Sequence, residues 1–111
     1  MVARGYLDDA AFATHWVTTR AARGYGAARL RAELRVRGVA SPLIAGALAT
    51  LEGDAALERA RALARRRLPA LRRAAPAKAA ARLRDHLLRR GYAADVVQRV
   101  VRELTRAPFD D

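Results

Sequence analysis

The stretch that decides the fold occurs twice. RLRAELRVRGVASPLIAGALATL, Arg29–Leu51, aligns without a gap with RLRDHLLRRGYAADVVQRVVREL, Arg82–Leu104, at an offset of 53 residues. Eight of the 23 aligned positions are identical, including the glycine at Gly38 and Gly91. Chance similarity between two helices rich in alanine and arginine does not readily produce a shared glycine followed by the same apolar spacing. The sequence therefore predicts a tandem repeat.

Each copy has the pattern of a helix, a glycine stop, a short turn and a second helix. Gly38 can take the left-handed conformation that ends a helix, and Arg37 complements the negative end of the helix dipole. Ser41 is predicted to cap the next helix, with Pro42 at its first position. Apolar residues then recur at i, i+3, i+4 and i+7 in both copies and predict a core: Ile44, Ala47, Leu48 and Leu51 in the first, and Val97, Val100, Val101 and Leu104 in the second.

A third helix is predicted upstream of each pair. In the first copy, Asp8 suits an N-cap, Leu7 and Phe12 can form a hydrophobic staple, and the helix is expected to stop at Gly24-Tyr25-Gly26. In the second copy, the helix is expected to begin near Asp54. Two prolines, Pro69 and Pro76, predict a longer and less regular linker after it.

The predicted fold class is all-α, with tandem three-helix repeats packed into an elongated, curved helical array. The first repeat is assigned to residues 1–52 and the second to residues 53–111, which contain the proline-bounded linker. A unit of about 45 residues is marginally stable alone, so the two units are expected to pack on one another. Arg4-Gly5-Tyr6 resembles the helix stop Arg37-Gly38-Val39, which suggests the remnant of a preceding unit and a short form of a longer repeat protein.

The chain of 111 residues carries a net charge of +11, from 22 Lys and Arg against 11 Asp and Glu, and Lys78 is the single lysine. Such an excess attracts polyanions, either nucleic acid or an acidic protein surface. The absence of cysteine excludes disulfides, a thiolate nucleophile and cysteine-bound metals. The longest apolar stretches are broken within a few residues, so no segment can span a bilayer and no membrane partner is expected. A cytoplasmic location is predicted.

Catalysis has little support in the sequence. Ser41 is the only serine and is assigned to a cap, and no phosphate-binding glycine loop is present. His15 and His86 lack the neighbours of a metal site, so neither a metal nor a cofactor is expected. These features favour a binding protein, expected to be a monomer, rather than an enzyme.

The segment Gly5–Val39 resembles the RecX family of recombination regulators. The family pattern G-x-x-R-[IL]-x-x-E-L-x-x-[KR]-G is matched by Gly26, Arg29, Leu30, Glu33, Leu34, Arg37 and Gly38. An earlier element of the pattern is matched by Asp8, Asp9, Phe12 and Ala13, and a later one by Lys78 and by Leu87 through Tyr92. The resemblance covers nearly the whole chain.

The resemblance implies three-helix units, typically three of them, in a basic molecule that binds the RecA nucleoprotein filament, which contains single-stranded DNA, and suppresses its ATP hydrolysis and strand exchange. A unit before Met1 would be missing here, which could weaken that activity. Direct DNA binding is also implied for some members. Two alternatives stay open: a helix-turn-helix-like DNA-binding protein of low sequence specificity, and a helical adaptor for an acidic protein.

Exposed arginines on the helices are the candidate contacts to a partner or to DNA: Arg29, Arg31, Arg35, Arg37, Arg65, Arg66, Arg72, Arg73, Arg82, Arg84, Arg89 and Arg90. The other polar and aromatic residues are predicted to be structural. Glu33 is expected to pair with Arg29 or Arg37, four residues away on either side. Trp16 is expected in the core beside Phe12, and Tyr25 and Tyr92 are expected to pack the joints between helices.

Overall fold

The computed structural model describes residues 2–106, except for the side chains of residues 2–7 and 54. Six α-helices follow one another: α1 (Val2–Ala21), α2 (Ala27–Val36), α3 (Ser41–Leu48), α4 (Asp54–Ala74), α5 (Ala79–Arg90) and α6 (Ala94–Thr105). Short 3₁₀ turns at Ala49–Leu51 and Pro76–Lys78 follow α3 and precede α5. The described part of the chain contains no strand, so the all-α prediction is confirmed.

The first unit packs α1, α2 and α3 around one apolar cluster. Leu30 and Leu34 of α2 are fully buried, and they meet Ile44 and Leu48 of α3. Ala13, Val17 and Ala21 complete this core from α1. The leucines of α2 and the apolar residues of α3 lie at helical spacing, so each helix presents one face to the other two.

The second unit repeats this arrangement with α4, α5 and α6. Leu83 and Leu87 take the places of Leu30 and Leu34, and Val97 and Val100 face them from α6. Helix α4 contributes Ala60, Leu63, Ala64 and Leu68 to the same cluster. The repeat seen in the sequence therefore corresponds to two three-helix units, each with its own core.

The units meet where the C-terminal end of α5 abuts the N-terminal end of α2. The backbone N–H of Gly26 donates to the carbonyl of Arg90 at 2.6 Å, and that of Ala28 donates to the carbonyl of Gly91 at 3.1 Å. The hydroxyl of Tyr92 donates to the carbonyl of Gly24 at 2.9 Å. Amides and carbonyls that helix ends normally leave unpaired thus satisfy one another across this joint.

Glycine is required on both sides of the joint. Gly91 ends α5 at φ 102°, in the left-handed region. A Cβ on Gly26 would lie 2.6 Å from the carbonyl carbon of Gly91, and a Cβ on Gly91 would overlap the backbone of Arg29. The joint therefore brings backbone against backbone, closer than any side chain permits. The resulting array measures 62 × 25 × 18 Å and is elongated as predicted.

Three predicted helix boundaries were wrong. Asp8 lies inside α1, which begins at Val2, and is therefore not its N-cap; Leu7 lies outside the described side chains. Residues 4–6 are part of the same helix rather than a helix stop. Ser41 is the first residue of α3, with Ala40 at the N-cap and no side-chain cap bond. Neither Asp8 nor Ser41 therefore caps a helix.

The proline-bounded linker was also predicted wrongly. Helix α4 continues through Pro69 to Ala74, and the connection to α5 contains only Ala75 and the 3₁₀ turn. Proline costs an interior helix one backbone hydrogen bond, but Leu68 and Leu71 on either side of Pro69 are packed into or against the core of the second unit. Tertiary packing therefore carries the helix past the proline.

Pro69 provides a direct test of this explanation. The Pro69→Ala variant is expected to raise the free energy of unfolding by about 1–3 kcal/mol, because alanine restores the missing N–H at an exposed position. Urea denaturation measures the difference. Pro42→Ala, at the second residue of α3, is the control and is expected to gain nothing, since no helical bond is missing there. If the two substitutions had equal effects on the free energy of unfolding, Pro69 would not be costing α4 a backbone hydrogen bond.

Candidate polyanion-binding surface

The carboxylate of Glu33 binds two arginines and a tryptophan of the first unit. It accepts hydrogen bonds from Arg20 Nε at 2.7 Å and Nη2 at 2.8 Å, from Arg29 Nε at 3.0 Å and from Trp16 Nε1 at 2.9 Å. Burial raises the pKa of Glu33, but the bonds from Arg20, Trp16 and Arg29 outweigh it and hold this pKa below its usual value. The predicted pairing with Arg29 is confirmed. Arg37 instead donates to the Glu33 backbone carbonyl.

Aromatic rings and guanidinium groups stack around this carboxylate. The ring of Tyr25 has Arg20 at 4.3 Å and Arg90 at 4.4 Å from its centroid, so it joins the two units. The ring of Trp16 lies under Arg37 at 4.0 Å. Trp16 is half-buried rather than fully in the core, because its nitrogen must reach Glu33. Tyr25 and Tyr92 both pack at the joint, as predicted.

A second ion-paired group lies between α4 and α6. Arg61 binds both carboxylate oxygens of Glu103, at 2.9 and 3.0 Å, and also contacts Glu58. The hydrogen bonds from Arg61 lower the pKa of Glu103. Arg99 reaches the same carboxylate at 3.4 Å. The side of α4 that faces α6 is therefore largely neutral.

Four of the twelve arginines predicted as contacts have partners inside the protein. Arg29 binds Glu33 and donates to the carbonyl of Arg89, and Arg37 packs on Trp16. Arg72 donates to the carbonyl of Leu104 at 2.8 Å, and Arg90 to that of Arg23 at 2.9 Å. These side chains hold the array together, whatever else they contact.

Three others meet along the groove between α4 and α5. We call this groove the α4–α5 seam and define its polar lining as Arg23, Arg66, Arg67, Arg82, Asp85, His86, Arg89 and Arg90. Of these, Arg66, Arg82, Arg89 and Arg90 were predicted as contacts. The remaining predicted contacts are dispersed: Arg31 lines the cleft between the units, Arg84 lies between α5 and α6, and Arg35, Arg65 and Arg73 are exposed elsewhere.

The sequence did not bring Arg23, Arg67 and His86 together in one groove. Arg82, His86 and Arg89 lie at i, i+4 and i+7, so helical spacing alone could have placed His86 among the arginines. Arg67 belongs to an evident cluster of arginines in α4, but its direction toward α5 depends on packing. Arg23 is in the turn after α1, and only the joint between the units brings it to the seam.

The seam is strongly positive. It holds six arginines and one carboxylate, that of Asp85, and within the described side chains none of these arginines is within 4.0 Å of a carboxylate. Burial, and after it the charges of Arg67, Arg90 and Arg89, lower the pKa of His86. The charges of these arginines act in the same direction as burial and disfavour one more positive charge in the groove.

The described side chains show no grouping of three metal-ligating residues, and none of the described helices has the length and apolarity to span a bilayer. What the surface offers chemically is guanidinium groups in an open groove. Such groups bind oxyanions through paired N–H donors.

Comparisons with known proteins agree with the two-unit architecture. The family model for the second three-helix domain of RecX matches residues 8–48, and the model for the third three-helix domain matches residues 54–101. No solved structure matches the chain. Relatives named "Regulatory protein RecX" occur in Thermobifida fusca, Stenotrophomonas maltophilia and Streptomyces coelicolor, with 43%, 42% and 37% identity over 89%, 88% and 96% of this chain.

The chain spans 54–59% of the length of these relatives. The two family matches fall on the two structural units, in the same order as the repeats found in the sequence. With both units matched, the chain belongs to the RecX family.

Proposed function

We propose that this protein regulates homologous recombination by binding the RecA nucleoprotein filament, and that it inhibits the ATPase and strand-exchange activities of RecA. Membership of the RecX family, matched over both units, carries this proposal. Under this proposal the protein has a binding role in the cytoplasm rather than a catalytic one.

The shape and charge of the array support binding to a filament. A filament is a long partner, and the array extends over 62 Å with a positive seam in its second unit. Positive charge of this density accelerates encounter with a complex that contains DNA. The internal ion pairs of Glu33 and Glu103 leave the seam as the main concentration of arginines without a carboxylate partner in the described part of the chain.

The test is the DNA-dependent ATP hydrolysis of RecA. Adding the chain is expected to lower the rate, and the double variant Arg82→Ala/Arg89→Ala is expected to require about tenfold more protein for the same inhibition, because two charge-assisted contacts are lost. Arg102→Ala/Arg106→Ala is the control, since it removes the same charge from exposed positions outside the seam. An unchanged hydrolysis rate at severalfold excess of the chain would refute the proposal.

A further inference from the structure

The repeat places a glutamate and a histidine at the same structural position. The offset of 53 residues that superimposes Gly38 on Gly91 also superimposes Glu33 on His86. In the first unit this position provides the carboxylate that binds Arg20 and Arg29. In the second unit it provides an imidazole surrounded by arginines. The internal anion of the first unit therefore has no counterpart in the second.

The arginines around His86 nevertheless resemble those around Glu33. Arg82 precedes His86 by four residues, as Arg29 precedes Glu33, and Arg67 reaches the position from the first helix of its unit, as Arg20 does. Arg66, Arg89, Arg90 and Arg23 add four more positive charges, and Asp85 is the one acidic group in the groove. The second unit therefore has arginines at similar places but no carboxylate at the position of Glu33.

Phosphate is the anion that best fits this groove. Guanidinium groups bind phosphate oxygens through two parallel N–H donors, as Arg20 binds the two oxygens of Glu33. The row Arg82, His86, Arg89 extends over about 10 Å of α5, which is long enough to contact more than one phosphate of a strand. The apolar side chains that line the groove with them are Ala70, Ala74, Leu63 and Leu71. The two leucines pack in or against the core of the second unit, so the groove has little apolar surface to anchor the side chains of a peptide, which favours a backbone of phosphates.

We propose that the α4–α5 seam is a phosphate-binding site, in which backbone phosphates of a nucleic acid strand take the place that the Glu33 carboxylate has in the first unit. The proposal concerns this chain alone and does not depend on RecA. It requires no contact with base edges, so the site is expected to bind strands of different sequence equally.

Protonation of His86 is coupled to this binding. The positive groups that face the imidazole are Arg66 and Arg67 from α4, Arg82, Arg89 and Arg90 from α5, and Arg23 from the first unit, with Asp85 as the opposing charge. Burial and, after it, the charges of Arg67, Arg90 and Arg89 lower the pKa of His86 in the free protein. A bound phosphate neutralises their field and raises this pKa again, so binding takes up a proton. Affinity is therefore expected to increase as the pH falls through the pKa that His86 has in the complex.

The test measures binding of a fluorescent oligothymidylate strand, and of inorganic pyrophosphate, to the chain without RecA. Both are expected to bind, the strand more tightly, and to shift the NMR signals of the His86 ring. His86→Glu restores the internal carboxylate and is expected to weaken both affinities at least tenfold while raising the melting temperature. Gln98→Glu on α6 makes the same change in net charge outside the seam and is expected to weaken binding only two- to threefold.

The His86→Gln variant tests the uptake of a proton separately from the binding of the anion. It removes the titrating group at similar size, so strand binding is expected to persist while its dependence on pH disappears. The proposal is overturned if ligands leave the His86 ring signals unchanged, or if His86→Glu and Gln98→Glu weaken binding equally. Binding of pyrophosphate without binding of the strand would overturn the assignment to nucleic acid. Because RecA is absent, none of these outcomes bears on filament regulation.

Discussion

Gly26→Ala is expected to lower the free energy of unfolding by about 3 kcal/mol. Gly26 has an ordinary negative φ of −94°, so alanine introduces no backbone strain of its own. Its Cβ, however, would lie 2.6 Å from the Gly91 carbonyl, and backbone atoms cannot move aside as a flexible side chain can. The joint must open, with the cost of overpacking and the loss of the hydrogen bonds from Gly26 and Ala28. Urea denaturation followed by circular dichroism measures the change.

Gly38→Ala is the matched control for this prediction. Gly38 occupies in the first unit the place of Gly91 in the second, with φ 80°, but no atom lies within 4 Å of the position its Cβ would take. Its substitution is expected to cost only the strain of a left-handed alanine, about 1 kcal/mol. Gly91→Ala combines strain with overlap and is expected to cost the most. If Gly26→Ala were no more destabilising than Gly38→Ala, the two units would not meet in this way.

Glu33→Gln is expected to lower the free energy of unfolding by about 2–3 kcal/mol at neutral pH. The Glu33 side chain is only 13% exposed and satisfies Arg20, Arg29 and Trp16 together. A glutamine of the same shape has no charge and turns an N–H₂ group toward a guanidinium, so one cation loses its partner in a partly buried site. Glu58→Gln is the control. Glu58 is 66% exposed, and its loss is expected to cost less than about 0.5 kcal/mol.

The effect of Glu33→Gln is expected to depend on pH in one direction. The pKa of Glu33 is lower in the folded protein than its usual value of 4.5. The contribution of ionised Glu33 to the free energy of unfolding is therefore present above about pH 4.5. It is lost as the pH falls through the pKa that Glu33 has in the folded protein. The stability difference between the two proteins is expected to shrink below pH 4.5 and to be constant between pH 6 and 8. A difference that does not change with pH would show that packing, not charge, is responsible.

The helical fold could be predicted because it rests on local signals. The apolar spacing of Leu30, Leu34, Ile44 and Leu48 defines the faces of α2 and α3, and glycine defines where α2 and α5 end. The ends that failed, at Asp8 and Ser41, depend on whether a polar residue caps a helix or is simply included in it. The helix through Pro69 failed because packing against the core outweighs an intrinsic preference.

The seam could be predicted only in part, for a different reason. Arginines on an exposed helical face are visible in the sequence, but which of them carry free charge depends on where the few carboxylates lie. Glu33 neutralises Arg20 across 13 residues, and Glu103 neutralises Arg61 across 42. These pairings follow from how the helices pack. As a result, Arg29 is paired with a carboxylate, whereas Arg82 and Arg89 line the groove without one among the described side chains.

The joint also has a consequence for the order in which the chain is made. The N–H of Gly26 bonds to a carbonyl 64 residues later, so the start of α2 is completed by residues of the second unit. While the protein is being synthesised, the first unit leaves the ribosome with those amides bonded to water, and only Arg90 and Gly91 can replace that water. The joint between the two units is therefore expected to close only after α5 has been synthesised.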